Sequence, residues 1–136
     1  MRFSTKTRYG IRTMIEIASA NPEKGILQKD ISQNQCISNK YLDQIIQALK
    51  VSELIRNVKG HKSGYVLNRM PSEISMLDIH NSFEPGICVI DCMSKTYQCL
   101  SEEGCLSKGF WAELNHKIID HFKSTTLQDL VSGKAL

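Results

Sequence analysis

The sequence predicts a mostly α-helical protein with one small β-hairpin. Three observations carry this. Apolar residues recur at helical spacing in separate stretches of the first 50 residues, a short pair of strand-like runs with a glycine-punctuated tip follows them, and a long amphipathic stripe lies near the end.

The first stretch places Ile11, Met14, Ile15 and Ala18 at i, i+3, i+4, i+7, the spacing of one helix face, and Asn21-Pro22-Glu23-Lys24-Gly25 stops it. A short helix over about 28–34 comes next, with Ile31 inward. The third stretch is the cleanest. Leu42, Ile45, Ile46 and Leu49 form an apolar face and Ser38 is placed to cap it, while Asn39, Lys40, Asp43, Gln44, Gln47 and Lys50 form the opposite face. Leu54-Ile55-Arg56-Asn57-Val58 and Tyr65-Val66-Leu67 then read as strands joined by the basic loop Lys59-Gly60-His61-Lys62-Ser63-Gly64. Three helices followed by a hairpin with a basic tip give the order of a winged helix-turn-helix.

Beyond Pro71, Ser75-Met76-Leu77-Asp78 starts a helix that reaches about Phe83 before Glu84-Pro85-Gly86 ends it. Residues 88–105 have no period and read as a loop. A long helix carrying Trp111, Leu114, Ile118 and Phe122 follows, and Ser124 to Asp129 offers capping signals for a last short helix. The predicted division is 1–84 as the DNA-binding domain, 85–107 as a cysteine-rich effector loop, and 108–136 as a dimerisation helix with the short helix. The Trp111 stripe suits a domain core or, in a small domain with a long last helix, the seam of a homodimer, which is the favoured reading.

Charge is uneven. Residues 1–70 hold 12 Lys/Arg against 5 Asp/Glu, a net +7, whereas residues 71–136 hold 5 against 9, a net −4. A basic front half suits a polyanion. Short and amide side chains at the start of a recognition helix reach base edges first, and Ser38, Asn39, Lys40, Tyr41, Asp43 and Gln44 occupy that start. Gln44 has the amide that pairs with adenine, and Asp43 the acceptor for cytosine. Lys59, His61 and Lys62 suit a phosphate backbone or a minor groove. The sequence contains no nucleophile–base pair, paired carboxylates or phosphate-cradling loop, so it does not read as an enzyme.

With neither an export signal nor a membrane-length apolar run, the chain reads as cytoplasmic, where five cysteines suit thiols or metal ligands better than disulfides. Four of them, Cys88, Cys92, Cys99 and Cys105, fall within 18 residues. The gaps separating Cys92, Cys99 and Cys105 are wide for a zinc knuckle, and thiolates spread over an irregular loop can wrap an iron–sulfur cluster. Reduced thiols without a cofactor, zinc, or a reversible disulfide remain alternatives. Cys36 reads as a small core residue, and His116 and His121 as solvated or interface histidines.

Three segments resemble one family. Met1-Arg2-Phe3-Ser4-Thr5-Lys6-Thr7-Arg8-Tyr9-Gly10, Ile37-Ser38-Asn39-Lys40-Tyr41-Leu42-Asp43-Gln44-Ile45 and Lys59-Gly60-His61-Lys62-Ser63-Gly64-Tyr65-Val66-Leu67 are similar, in this order, to the Rrf-two family of winged-helix bacterial transcription regulators. The resemblance implies a homodimer that binds operator DNA, with Ser38, Lys40, Tyr41, Asp43 and Gln44 on the reading helix and Lys59 at the wing tip. The family usually carries arginine at the Lys59 position, and lysine is a point charge where arginine is a planar fork.

The resemblance also implies that Cys92, Cys99 and Cys105 match the ligand positions of the IscR-like and NsrR-like branches, for a 2Fe-2S or 4Fe-4S cluster that senses iron–sulfur status, redox state or nitric oxide. Lys108 stands where the IscR-like branch has a histidine, and Arg8 where the NsrR-like branch has an acidic residue. Cys88, Asp91, Glu102 and Glu103 are the other candidates for a fourth ligand. CymR-like members lack these cysteines, so the alternative is a cluster-free regulator of sulfur metabolism that acts through a cysteine-metabolism enzyme or a thiol switch.

Overall fold

The computed structural model describes residues 1–59 and 63–134. Helices α1 (Thr5–Ser19), α2 (Gln28–Gln35) and α3 (Asn39–Val51) precede strands β1 (Ile55–Asn57) and β2 (Tyr65–Leu67). Helices α4 (Met76–Asn81), α5 (Lys108–Ser124) and α6 (Leu127–Ser132) complete the chain, with 3₁₀ turns at Pro71–Glu73 and Asp91–Met93.

Apart from α5, each helix starts where its sequence provides a cap or ends where the backbone turns left-handed. The Ser4 and Ser38 hydroxyls accept the N–H groups of Thr7 and Tyr41 at 3.1 and 3.2 Å, opening α1 and α3. Ser75 with Asp78, and Thr126 with Asp129, form reciprocal capping boxes at α4 and α6. Helix α2 ends at Cys36, whose φ of 53° is left-handed.

The strands pair antiparallel, Ile55 with Leu67, Arg56 with Val66 and Asn57 with Tyr65. Tyr65 also exchanges backbone hydrogen bonds with Ile26, N–H to carbonyl at 2.8 and 3.2 Å, so the base of the wing is stitched to the α1–α2 connection. That seam needs Gly64. A Cβ there would fall 2.7 Å from the Ile26 nitrogen and 2.8 Å from the Lys24 carbonyl oxygen, both backbone atoms that cannot rotate away.

The core gathers Met14 and Ile17 of α1, Ile31 of α2, Leu42, Ile45, Ile46 and Leu49 of α3, and Leu54, Ile74, Ile79 and Leu127. Burying an aliphatic side chain of this size is worth about 1.5–3 kcal/mol, and this cluster is what fixes α3 against the wing. The face of α1 differs from its predicted stripe. Thr7, Gly10, Thr13, Met14 and Ile17 are buried, whereas Ile11, Ile15 and Ala18 are only half-buried. Helix α1 is covered from several sides by α2, α3, α4, α6 and β2, which rotates its most buried line toward the small residues. Phe83 packs there so closely that a Cβ on Gly10 would lie 2.2 Å from its ring.

Helix α5 contrasts with this core. None of its 17 residues is buried, and Phe110 and Leu114 stand exposed. Phe122, near its end, stacks on Phe3 with ring centroids 4.9 Å apart. Among the described residues no helix is long and apolar enough to cross a membrane.

Candidate nucleic-acid interface and cysteine cavity

Helix α3 buries Leu42, Ile45, Ile46 and Leu49, and this leaves Asn39, Lys40, Asp43, Gln44, Gln47 and Lys50 on its exposed side. Helix α2 is tied to α1 by polar contacts. The Arg12 guanidinium donates to both the side-chain and main-chain oxygens of Gln35, and Glu16 accepts from Gln35 and Asn34. Tyr41 is half-buried, its ring edge-on to Tyr9 at 5.5 Å, while the Arg12 guanidinium lies 5.2 Å from the Tyr9 ring. Ser38 spends its hydroxyl on the cap and remains exposed. Lys59 is exposed at the start of the wing tip; His61 and Lys62 lie outside the described residues.

One expectation is corrected here. Cys36 is exposed, not a core residue. It is the left-handed cap of α2, and in that conformation the next residue, Ile37, takes the buried place at 3% exposure.

The cysteine segment carries a second site. Cys92, Cys99 and Cys105 border one cavity of about 220 Å³ together with Ile90, Tyr97, Glu102, Lys108 and Trp111. Periodicity gave no clue to this convergence, since the segment is irregular apart from the Asp91–Met93 turn. Of the four further ligand candidates, only Glu102 reaches this cavity, and its carboxylate pairs with the Lys108 ammonium at 2.5 Å. Cys88 and Asp91 line a different groove, beside Met1 to Thr5 and α5. Among the described residues no three His, Cys, Asp or Glu side chains converge on a point that would hold a single metal ion.

The Cys105 thiol is held below the ordinary cysteine range, first by its hydrogen bond with the Ser107 hydroxyl, at 3.4 Å, then by backbone N–H groups and the Lys108 charge. Donation to sulfur and a nearby cation both favour the thiolate, the form that binds metal and attacks electrophiles. Because the folded protein lowers this thiol's pKa, iodoacetamide labelling of Cys105 is expected to set in at lower pH than for an ordinary cysteine. Ser107→Ala is expected to move that onset back up in pH, read by mass spectrometry of labelled peptides.

The loop is tied to the rest of the fold through His80, which sequence reasoning did not single out. Its ring is buried at 4% exposure. The Gly86 carbonyl can only accept, so Nε2 donates to it at 2.9 Å, and Nδ1 shares a hydrogen bond with the Thr7 hydroxyl at 3.0 Å. Phe3 and Phe122 pack edge-on against the ring. The Asn115 side-chain oxygen of α5 accepts the Val89 N–H at 2.9 Å.

Comparison with known proteins decides the family. The model of the family Rrf2, described as an iron-dependent transcriptional regulator, matches residues 3–133. The chain belongs to the Rrf2 family. Among Rrf2 relatives, CymR of Bacillus subtilis is 32% identical over 97% of this chain and 91% of its own length. IscR of Pectobacterium atrosepticum is 29% identical over 98% of this chain and 81% of its own. Among solved structures, CymR of B. subtilis, the global cysteine regulator, superposes with a TM-score of 0.83 at 31% identity, covering 97% of both chains. The T. potens IscR gives a TM-score of 0.77 at 28% identity, covering 98% of this chain and 88% of its own. The Rrf2 chain described here is therefore a DNA-binding transcription regulator with a winged-helix fold, and not an enzyme.

Proposed function

We propose that this regulator acts as a cytoplasmic homodimer whose grip on operator DNA depends on an iron–sulfur cluster held by Cys92, Cys99 and Cys105. The observation that carries the cluster is the shared cavity: three soft thiols around one space, set apart from one another, suit a polynuclear group better than a single ion. When bound, the cluster would supply sensitivity to iron supply, oxidants or nitric oxide. The chain's own part is to hold the thiolates, Cys105 foremost, and to transmit the order of the loop to the reading heads. With Glu102 paired to Lys108, the donor set within the cavity is the three cysteines, and a 2Fe-2S or 4Fe-4S centre would take its remaining ligand from elsewhere.

In this reading residues 1–84 bind DNA, 85–107 sense, and 108–136 pair the protomers. Ser38, Asn39, Lys40, Tyr41, Asp43 and Gln44 face the major groove, and Lys59, His61 and Lys62 follow the backbone beside it. Pairing through α5 is supported by its lack of buried residues and by the exposed Phe110 and Leu114, which a twin helix would cover. The likeness to CymR favours a second reading, a cluster-free regulator of cysteine metabolism working through an enzyme partner or a thiol switch.

Anaerobic reconstitution with iron and sulfide separates the two. The first reading expects visible iron–sulfur absorption in the wild type and none when Cys92, Cys99 and Cys105 are all serine. It also expects operator affinity to differ between loaded and empty protein. A colourless protein whose DNA affinity ignores reconstitution would leave the CymR-like reading standing. For either, affinity should fall steeply with salt, by about 10³-fold between 50 and 200 mM if some six phosphates are contacted.

A further inference from the structure

One contact on the exposed face of α3 stands apart from the rest. Gln28, the first residue of α2, sends its side-chain amide across to α3, where Nε2 donates to the Asp43 carboxylate at 2.5 Å and to the Asn39 carbonyl at 3.4 Å. Asp43 is the one acidic side chain among Asn39, Lys40, Asp43, Gln44, Gln47 and Lys50. A carboxylate on a surface that meets a polyanion is repelled by every phosphate nearby, so general attraction to DNA gives it no role there. It gains one only by accepting from a base amine, and cytosine offers its exocyclic N4 in the major groove.

An exposed aspartate has two oxygens and free rotamers, and ordering it on binding costs entropy. Gln28 removes part of that freedom. With one carboxylate oxygen engaged by the amide and the amide itself anchored on the Asn39 carbonyl, the second oxygen remains available to the groove. We infer that Gln28 is a specificity-determining positioning residue, which holds Asp43 in the orientation that selects a cytosine. The inference rests on α3 being the reading helix, as proposed above.

The test is selection of bound duplexes from a random-sequence pool by the full-length protein, for the wild type, Gln28→Met, Asp43→Ala and the double variant. Methionine keeps the length and helix preference of glutamine and removes the amide that donates to Asp43. Asp43→Ala is expected to erase a cytosine preference at one position of each half-site. Gln28→Met is expected to weaken the preference at that same position by roughly tenfold, as loss of one oriented hydrogen bond would. The double variant should match Asp43→Ala, and the salt dependence of binding should be unchanged in Gln28→Met, which loses neither a charge nor a phosphate contact. Full retention of the preference in Gln28→Met, or a change at a position that Asp43→Ala leaves alone, would overturn the inference while leaving α3 as the reading helix. A wild-type protein that enriches no sequence would instead remove the premise about α3, and the role of Gln28 with it.

Discussion

Replacing Leu127 with alanine is expected to cost about 2–5 kcal/mol of folding stability, a large share of the roughly 5–15 kcal/mol that holds a domain of this size together. Leu127 is fully buried, although it belongs to the last helix of the chain. It inserts into the core formed by α1, α3 and the Ile74 turn, and its N–H donates to the Ile74 carbonyl at 2.8 Å. Helix α6 is short, so little of its stability is intrinsic, and packing on α1 keeps it in place. Urea denaturation followed by circular dichroism reads the effect as a lower midpoint with an unchanged slope. By contrast Val131→Ala, on the exposed side of the same helix, should shift the midpoint little. Equal midpoints for Leu127→Ala and Val131→Ala would contradict the burial described here.

Replacing His80 with alanine is the second large expected effect. The imidazole satisfies two groups at once, the Thr7 hydroxyl and the Gly86 carbonyl, and it packs edge-on against the stacked pair Phe3 and Phe122. Loss of the partner of the buried Thr7 hydroxyl costs about 1–3 kcal/mol, with a cavity term added for the missing ring, while the carbonyl of the exposed Gly86 can turn to water. The loss should be local as well as global. Amide hydrogen exchange is expected to speed up in the stretch around residues 86–90, because the His80–Gly86 bond is where the cysteine segment leaves the domain. Exchange in α3 should change only as far as overall stability falls. If residues 86–90 keep their protection in His80→Ala, the ring does not fasten the loop.

How much of this was legible beforehand depended on how many neighbours each element has. Helix α3 packs its apolar stripe in one direction, so the spacing of Leu42, Ile45, Ile46 and Leu49 predicted both its buried face and the polar face opposite. The caps at Ser38, Ser75 and Thr126 were likewise readable, because they act within three residues. Helix α1 is enclosed by neighbours distant in sequence, and no local pattern indicates that Thr7 and Thr13 lie deeper than Ile11. The exposure of Cys36 follows from a left-handed turn that a cysteine does not advertise. In the cysteine segment, spacing suggested a ligand set, but the separation of Cys88 from the other three and the pairing of Glu102 with Lys108 depend on loop geometry. His80 and Gln28 act through single long-range contacts, which leave no periodic trace.

The bonds at the two ends of the back half have a further consequence. Met76 donates its N–H to the Thr125 carbonyl at 2.9 Å, and Leu127 to that of Ile74 at 2.8 Å, so the two ends of the stretch from Ile74 to Leu127 are held together at a single seam. Such an excursion is a lariat with its knot beside the core. Within it α4 stays part of the core through Met76 and Ile79, so the portion that can be lengthened, shortened or exchanged without moving either stump is the irregular segment beyond Gly86 that carries the cysteines. In the proposed reading, a signal from that segment would reach the duplex through this knot, through the contacts of His80 and Phe83 with α1, or through a second subunit.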